Sequence, residues 1–361
     1  MPHRRGFLKA VAGATGVVAA GCSLLQARGQ VAKPAAGRRR VILGGRRVKT
    51  VDVHSHCAVP EALALMRMPA GSSARWDNPQ LMIGPDRLRI MDEQGIDVEA
   101  LSINPFWYAA ERDLARQIIQ IQNEKLSALC AAYPDRFVAF ASVALQHPDL
   151  AARQLEDGKK LGLRGAAIGG NVNGEEISSP RLDPFWAKAE ELGALIFIHP
   201  QGIPELQKRF QGNGYLTNVI GNPLETTIAL SHLIFDGTLD RFPGLKICAA
   251  HGGGYLPSYS ARSDHGCATS PPDCTATLKK HPSEYLRQIY FDSLVFTPEA
   301  LRHLVAECGA GQIVMGTDWP FPWTTTAVDH ILNTPGLSPD QRRAMLGGTA
   351  SKLLGISANQ S

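Results

Sequence analysis

Val51-Asp52-Val53-His54-Ser55-His56 is a short apolar run ending in two histidines one residue apart. In an extended strand, side chains at i and i+2 lie on the same side, so His54 and His56 project together. Neutral imidazole suits Zn, Fe, Co or Ni, and two such nitrogens make half of a transition-metal site. Surface pairs of this kind also arise by chance. The weight of this one comes from what ends the later strand-like runs.

Working outward, the first run covers 49–53 and seven more follow at 98–103, 137–143, 165–168, 195–198, 245–250, 289–291 and 312–315. Helical patterns lie between them. Residues 86–94 place Leu88, Ile90 and Met91 before Gly95, and residues 113–132 repeat apolar positions near a 3.6 period and stop before Pro134. Further helices are expected over 149–161, 183–192, 223–239, 298–308 and 339–354. Short, unalternating apolar strands separated by amphipathic helices indicate a parallel sheet buried on both faces. Eight such units over roughly 300 residues predict an α/β fold, a (β/α)8 TIM barrel. A doubly wound open sheet is the alternative, but no Gly-rich dinucleotide fingerprint follows the first strand. The expected organisation is a leader and solvated linker over 1–47 and one barrel over 48–357.

Catalytic residues of a barrel sit at the C-terminal ends of its strands. His54 and His56 end the first run, His199 the fifth, His251 the sixth (followed by Gly252-Gly253-Gly254) and Asp318 the eighth. A single core histidine is usually a hydrogen-bonded packing residue. Four histidines and an aspartate converging on one barrel face read as a catalytic metal centre.

This pattern resembles the amidohydrolase superfamily, and more narrowly its amidohydrolase-2 branch. The resemblance rests on Asp52-Val-His-Ser-His56, His199-Pro200, His251-Gly-Gly-Gly254 and Gly316-Thr-Asp-Trp-Pro-Phe-Pro322, and spans 49–355. It implies one divalent metal, zinc first with manganese or iron as alternatives, held by His54, His56, His199 and Asp318. It implies His251 as the acid/base acting with a metal-bound water. The aminocarboxymuconate-semialdehyde decarboxylases of this branch bind substrate carboxylates with two arginines, one from a neighbouring subunit. Arg75, twelve residues before Arg87, and Arg262, eleven beyond His251, match those positions. A guanidinium fork binds a carboxylate bidentately. The resemblance therefore implies a homodimeric carboxy-lyase acting on a small aromatic or unsaturated carboxylic acid. Binuclear relatives carry a lysine after strand four, and Gly165-Ala-Ala-Ile-Gly-Gly-Asn171 has none, which favours one metal. Hydrolysis of an amide, ester or lactone on the same residues is the competing reading. Gln201 and Trp319 stand where the decarboxylases carry Trp and Tyr, so the resemblance does not fix the exact substrate. A metal-keeping binding module without catalysis would be expected to lack a ligand or the base, and neither is missing. Trp76, Phe106, Trp107 and Tyr108 are candidate pocket linings, and 252–285 is expected to be a long loop bearing Arg262.

With 361 residues, 44% hydrophobic and 19% charged, the chain can bury a large core. Its net charge of +4 is concentrated in the first 47 residues. Arg38-Arg39-Arg40 and Arg46-Arg47 have no interleaved aromatics, so they read as a solvated linker and no nucleic-acid partner is expected. Arg4-Arg5-Gly6-Phe7-Leu8-Lys9 before a Gly- and Ala-rich stretch resembles a twin-arginine signal. That stretch is too short for a stable membrane span. Export to the periplasm is expected, with Cys22 as a lipidated N-terminus or an ordinary cleavage nearby. Of seven cysteines, Cys130, Cys248 and Cys308 sit in apolar patterns as buried thiols. Cys267 and Cys274 flank a Pro-rich segment and can pair in an oxidising compartment. No CxxC occurs, which argues against a structural zinc site.

Overall fold

The computed structural model describes residues 37–66, 78–270, 274 and 278–357. The leader, Cys22, Arg75 and Trp76 lie outside the described residues.

The compact unit begins at Gly37, earlier than expected. Strands β1 (Val41–Leu43) and β2 (Arg46–Val48) pair antiparallel across Gly44-Gly45. The solvated linker predicted for the arginine clusters is therefore corrected. Arg40 and Arg46 do face solvent, but Arg38 and Arg47 both reach Asp97, and Arg39 pairs with Asp329. Charge runs read alone show no partner; here the partners lie dozens to hundreds of residues away.

Eight parallel strands follow: β3 (Val51–His56), β4 (Val98–Ser102), β5 (Phe137–Ala139), β6 (Gly165–Gly169), then, after a small hairpin of β7 (Asn171–Val172) and β8 (Glu175–Glu176), β9 (Leu195–His199), β10 (Lys246–Ala249), β11 (Ile289–Asp292) and β12 (Ile313–Val314). They form two parallel sheets, β3-β4-β5 and β6-β9-β10-β11-β12. Bridges Ala141–Ala166 and Ser55–Trp319 join the sheets at both margins, and Val53 N donates to Met315 O at 2.9 Å, closing the barrel. Each expected strand is present within a few residues.

Along β9 the side chains alternate: Leu195 and Phe197 fill the interior with Val51, Val53 and Phe140, while Ile196 and Ile198 pack outward under the helices. The outer helices Pro85–Gln94, Arg112–Ala132, Pro148–Lys160, Asp183–Glu191 and Pro298–Cys308 fall where the periodicity places them. The expected helix over 223–239 is two, Asn222–Phe235 and Thr238–Arg241, separated by Gly237 in the left-handed region. That over 339–354 also breaks, at Gly347-Gly348, leaving Pro339–Arg343 and Thr349–Leu354. The long loop expected over 252–285 contains the helix Leu256–Thr269, and Ala327–Asn333 adds a helix after β12.

One irregularity positions the site. Asp52 pairs with Glu99 but Ser55 with Leu101, so β3 carries one extra residue between them, a β-bulge. Val51 and Val53 point into the barrel core. Beyond the bulge the inward set switches parity, and His54 packs edge-on against inward Phe197 with ring centroids 5.0 Å apart.

Candidate metal centre

His54, His56, His199 and Asp318 are each no more than 3% exposed, and the His251 side chain is 14% exposed. Asp318 lies at the middle of the group. Its Oδ1 is 3.1 Å from His54 Nε2, 2.8 Å from His56 Nε2 and 3.9 Å from His199 Nε2, and its Oδ2 is 3.4 Å from His251 Nε2. One ligand atom from each of His54, His199, His251 and Asp318 can be chosen with all four within 4.8 Å of one another. His56 Nε2 lies 3.1 Å from His54 Nε2. The five residues read from the strand ends are thus brought together.

The outer nitrogens separate the histidines into two kinds. His54 Nδ1 faces Asp292 Oδ2 at 2.6 Å, His56 Nδ1 faces Ser102 Oγ at 3.2 Å and His199 Nδ1 faces Pro200 O at 2.8 Å. Ser102 Oγ itself donates to Ser55 O, leaving its lone pairs for His56. With a carboxylate, a hydroxyl oxygen and a carbonyl as acceptors, each Nδ1 keeps a proton, so a metal displaces any proton on Nε2 and that nitrogen then presents its lone pair inward. His251 has no such support: its Nδ1 is buried without a hydrogen-bond partner. His199 Nε2 is also buried without a partner. An orphaned lone pair facing two further imidazole nitrogens and a carboxylate fits a divalent metal, and this donor set is one that such an ion takes.

Electrostatics agree. Burial alone would lower the His54 value, but the charges and hydrogen bonds of Asp318 and Asp292 lift it to about 10, so the centre attracts a cation. Burial, then the neighbouring imidazoles, push His199 well below its ordinary value. Burial would raise Asp318, yet the charge of His54 and hydrogen bonds from His251, His54 and His56 hold it well below the usual carboxylate range.

The backbone around the site is tightly built. His251 and Asp318 both occupy the left-handed region, at φ 56° and 60°. Gly316 allows the close approach of β12 to β3 and β11, since a Cβ there would lie 2.9 Å from the Cβ atoms of both Asp292 and His54. Arg87, 3% exposed, donates to Glu99 Oε2 at 2.6 Å, to His56 O at 2.7 Å and to Ser55 Oγ at 2.5 Å, clamping the end of β3. Asp52 accepts from Thr317 Oγ1 at 2.5 Å and from His54 N at 3.0 Å, tying β3 to the Asp318 turn.

Asp292 was not among the residues read from the strand ends. It is wholly buried, and besides His54 it accepts from the backbone N–H of His251 at 2.9 Å and of Gly252 at 2.8 Å. It thereby joins a first-strand imidazole to the His251 turn. The signal was one residue away: the seventh run, read as 289–291, extends to Asp292.

Other expectations change. Arg262 is exposed on Leu256–Thr269, and among the described residues it is neither hydrogen-bonded nor ion-paired to the five clustered ones. Trp107 is fully buried with Nε1 donating to Val143 O, and Tyr108 Oη accepts from Gly169 N, so both are packing residues. Phe106 is half-buried and packs beside Trp107. Phe321, beyond Asp318, stands 5.6 Å from the His56 ring and lines the centre. Cys248 and Cys308 are buried thiols as expected, whereas Cys130 is only partly buried. Cys267 and Cys274 form a disulfide. Among the described residues, no helix is long and apolar enough to cross a membrane.

Comparison with known proteins bears on the same residues. The profile of the amidohydrolase family (Amidohydro_2) matches residues 51–356. A 2-amino-3-carboxymuconate-6-semialdehyde decarboxylase of Dictyostelium discoideum is 33% identical over 281 residues, 76% of this chain and 78% of that protein. A gamma-resorcylate decarboxylase of Rhodococcus jostii is 31% identical over 292 residues, 75% of this chain and 88% of that protein. Among solved structures, a dihydroxybenzoic acid decarboxylase from a Polaromonas species, holding manganese and the inhibitor 2-nitroresorcinol, superposes with a TM-score of 0.76 at 28% identity, covering 86% of this chain and 97% of that one.

Proposed function

The chain belongs to the amidohydrolase family, and we propose that it is a metal-dependent carboxy-lyase that decarboxylates an aromatic or unsaturated carboxylic acid. The observation that carries this is the convergence of three Nε2 atoms, each fixed by an acceptor on its Nδ1, on the Asp318 carboxylate. His54, His56, His199 and Asp318 are the residues that would hold one divalent ion. Such an ion supplies Lewis-acid polarisation and a positive charge against charge developing on the substrate. Three imidazoles and a carboxylate support zinc; the manganese of the Polaromonas relative makes that ion the other outcome of metal analysis.

His251 is the proton carrier. It lies beside the group with no partner on its buried Nδ1 and with Nε2 3.4 Å from Asp318 Oδ2, so Nε2, facing the centre, is the nitrogen that holds the transferable proton. His251 gives a proton to the carbon bearing the carboxylate, using a pair from the conjugated system. The C–C bond then breaks, CO2 departs, and the bonding pair drains back into the conjugated system. Asp292, through the His251 backbone N–H, holds that residue in place. Arg75 and Arg262 are assigned to the substrate carboxylate, Arg262 from the second subunit of a homodimer. Its exposure on Leu256–Thr269 leaves it available to a partner chain.

We also propose export by the twin-arginine route to the periplasm, with Cys22 as a lipid anchor. The Arg4-Arg5 motif supports this, and a Cys267–Cys274 disulfide suits an oxidising compartment. Fractionation that leaves the protein in the cytoplasm would overturn the export reading, and radiolabelled lipid failing to attach to Cys22 the anchor. Gel filtration showing a fully active monomer would overturn the shared site.

The decisive experiment measures CO2 release by the metal-quantified protein from a panel of benzoic, resorcylic and muconate-type acids. Release from one of them, lost in His251→Ala while the metal stays bound, is the expected result. Turnover of esters, lactones or amides with no CO2 from any acid would overturn the reading in favour of hydrolysis.

A further inference from the structure

β3 and β9 support their histidines differently. His54 Nδ1 meets a side-chain carboxylate, whereas His199 Nδ1 meets only the carbonyl of the next residue, Pro200 O, at 2.8 Å. A carbonyl one residue along the chain stays a directed acceptor only if the turn carrying it is held.

Glu225 holds that turn. It sits on the helix Asn222–Phe235, 3% exposed, and one carboxylate oxygen accepts from Gln201 N at 2.7 Å and from Gly202 N. The other accepts from Asn171 Nδ2 at 2.7 Å, just beyond β6. One carboxylate thus ties a helix to the ends of two neighbouring strands. The glycines after β6 leave it room, since a Cβ on Gly170 would lie 2.9 Å from Glu225 Oε1 and one on Gly169 3.0 Å from Gln201 Cγ.

We infer that Glu225 is a positioning residue for the metal centre: it fixes the turn 200–202 so that Pro200 O accepts from His199 Nδ1 and His199 Nε2 stays bare toward Asp318. This rests on the metal reading above. Three N–H donors converge on the carboxylate, and the isosteric amide cannot accept all three, because its NH2 must face at least one of them. Its one oxygen can still face the two N–H groups of the turn, but without the charge that strengthens both bonds, so the substitution loosens the turn while keeping the side chain's volume. Residues that orient a metal-ligating histidine typically contribute about 10–100-fold to metal affinity.

The test uses wild type, Glu225→Gln and Asn171→Ala, each stripped of metal and titrated with Zn2+ against a chromophoric chelator, with His199 ring nitrogens followed by 15N NMR. Wild type is expected to bind one ion. Glu225→Gln is expected to bind about 10–100-fold more weakly, with His199 ring shifts averaged between tautomers. Asn171→Ala, which removes a bond to Glu225 but none to the turn, is expected to stay close to wild type. Wild-type affinity and unchanged His199 shifts in Glu225→Gln would overturn the inference alone. A wild type that binds no ion would overturn the metal reading beneath it. Should Glu225→Gln fail to fold, hydrogen exchange of the Gln201 and Gly202 amides in the unsubstituted protein decides: protection matching β9 supports the inference, and exchange at the rate of an open loop overturns it.

Discussion

Two buried aspartates stand at opposite ends of the barrel. Asp97, just before β4, is 6% exposed and is met by Arg38 at 2.7 Å, Arg47 at 2.9 Å and the backbone N–H of Thr50 at 3.0 Å. Asp318, just after β12, is 3% exposed and is met by four imidazoles. Guanidinium is always charged, so Asp97 is neutralised by the chain itself and serves the closure of the fold. An imidazole can give up its inner proton to a metal, so Asp318 is surrounded by nitrogens able to become lone-pair donors to a cation from outside. Among the described residues no Lys or Arg pairs with it. The same residue type, equally buried, is structural at one end and chemical at the other because of the permanence of its partners' charge.

The contrast can be broken from the active end. Asp318→Asn removes the central carboxylate, and we expect loss of the stoichiometric metal and a fall in kcat/KM of at least about 10³-fold, roughly 4 kcal/mol of transition-state stabilisation. Metal analysis and steady-state kinetics check this together. Asp292→Asn keeps every proposed ligand but weakens the hold on His54 Nδ1; metal affinity is expected to fall about 10–100-fold, read by chelator competition.

Acidity sharpens the same point. A ligand whose value is raised keeps its proton to higher pH, so the metal must displace that proton from His54. Apparent affinity is therefore expected to fall as pH drops and to rise by up to about tenfold per unit between the ordinary histidine value and about 10. A flat affinity across pH 6 to 8, an interval on the order of the ordinary histidine value, would contradict it. At the other end, Asp97→Asn is expected to cost about 1–3 kcal/mol of stability and leave metal content and kcat unchanged. Thermal melting beside metal analysis separates the two effects, and a loss of metal there would erase the distinction between the ends.

Much of this was legible in the chain. The eight strands stand out because parallel strands buried on both faces are nearly unbroken apolar runs, and polar residues at their ends are conspicuous. His54, His56, His199, His251 and Asp318 were found that way. Asp292 escaped because the seventh run was closed one residue early, and Arg87 because a charge inside a helical pattern reads as surface. The pairing of Arg38 and Arg47 with Asp97 was missed because nothing local distinguishes a linker arginine from one that folds back. The helix Leu256–Thr269 was hidden by the glycines before it and the prolines beyond.

By itself, then, the sequence determined the barrel, the metal-ligand types and the strand ends that carry them, since those follow from hydrophobic periodicity and from residue chemistry. Tertiary structure decided how the ligands aim. Alternation counted from Val51 and Val53 would send Ser55 inward; the bulge between Asp52 and Ser55 sends His54 and His56 there instead. The partners that set each imidazole's proton are Asp292, 238 residues from His54, Ser102, 46 residues from His56, and a turn at Pro200 held from Glu225. Tautomer and orientation depend on contacts between strands far apart in the chain, and only the closed barrel brings those strands within hydrogen-bond reach.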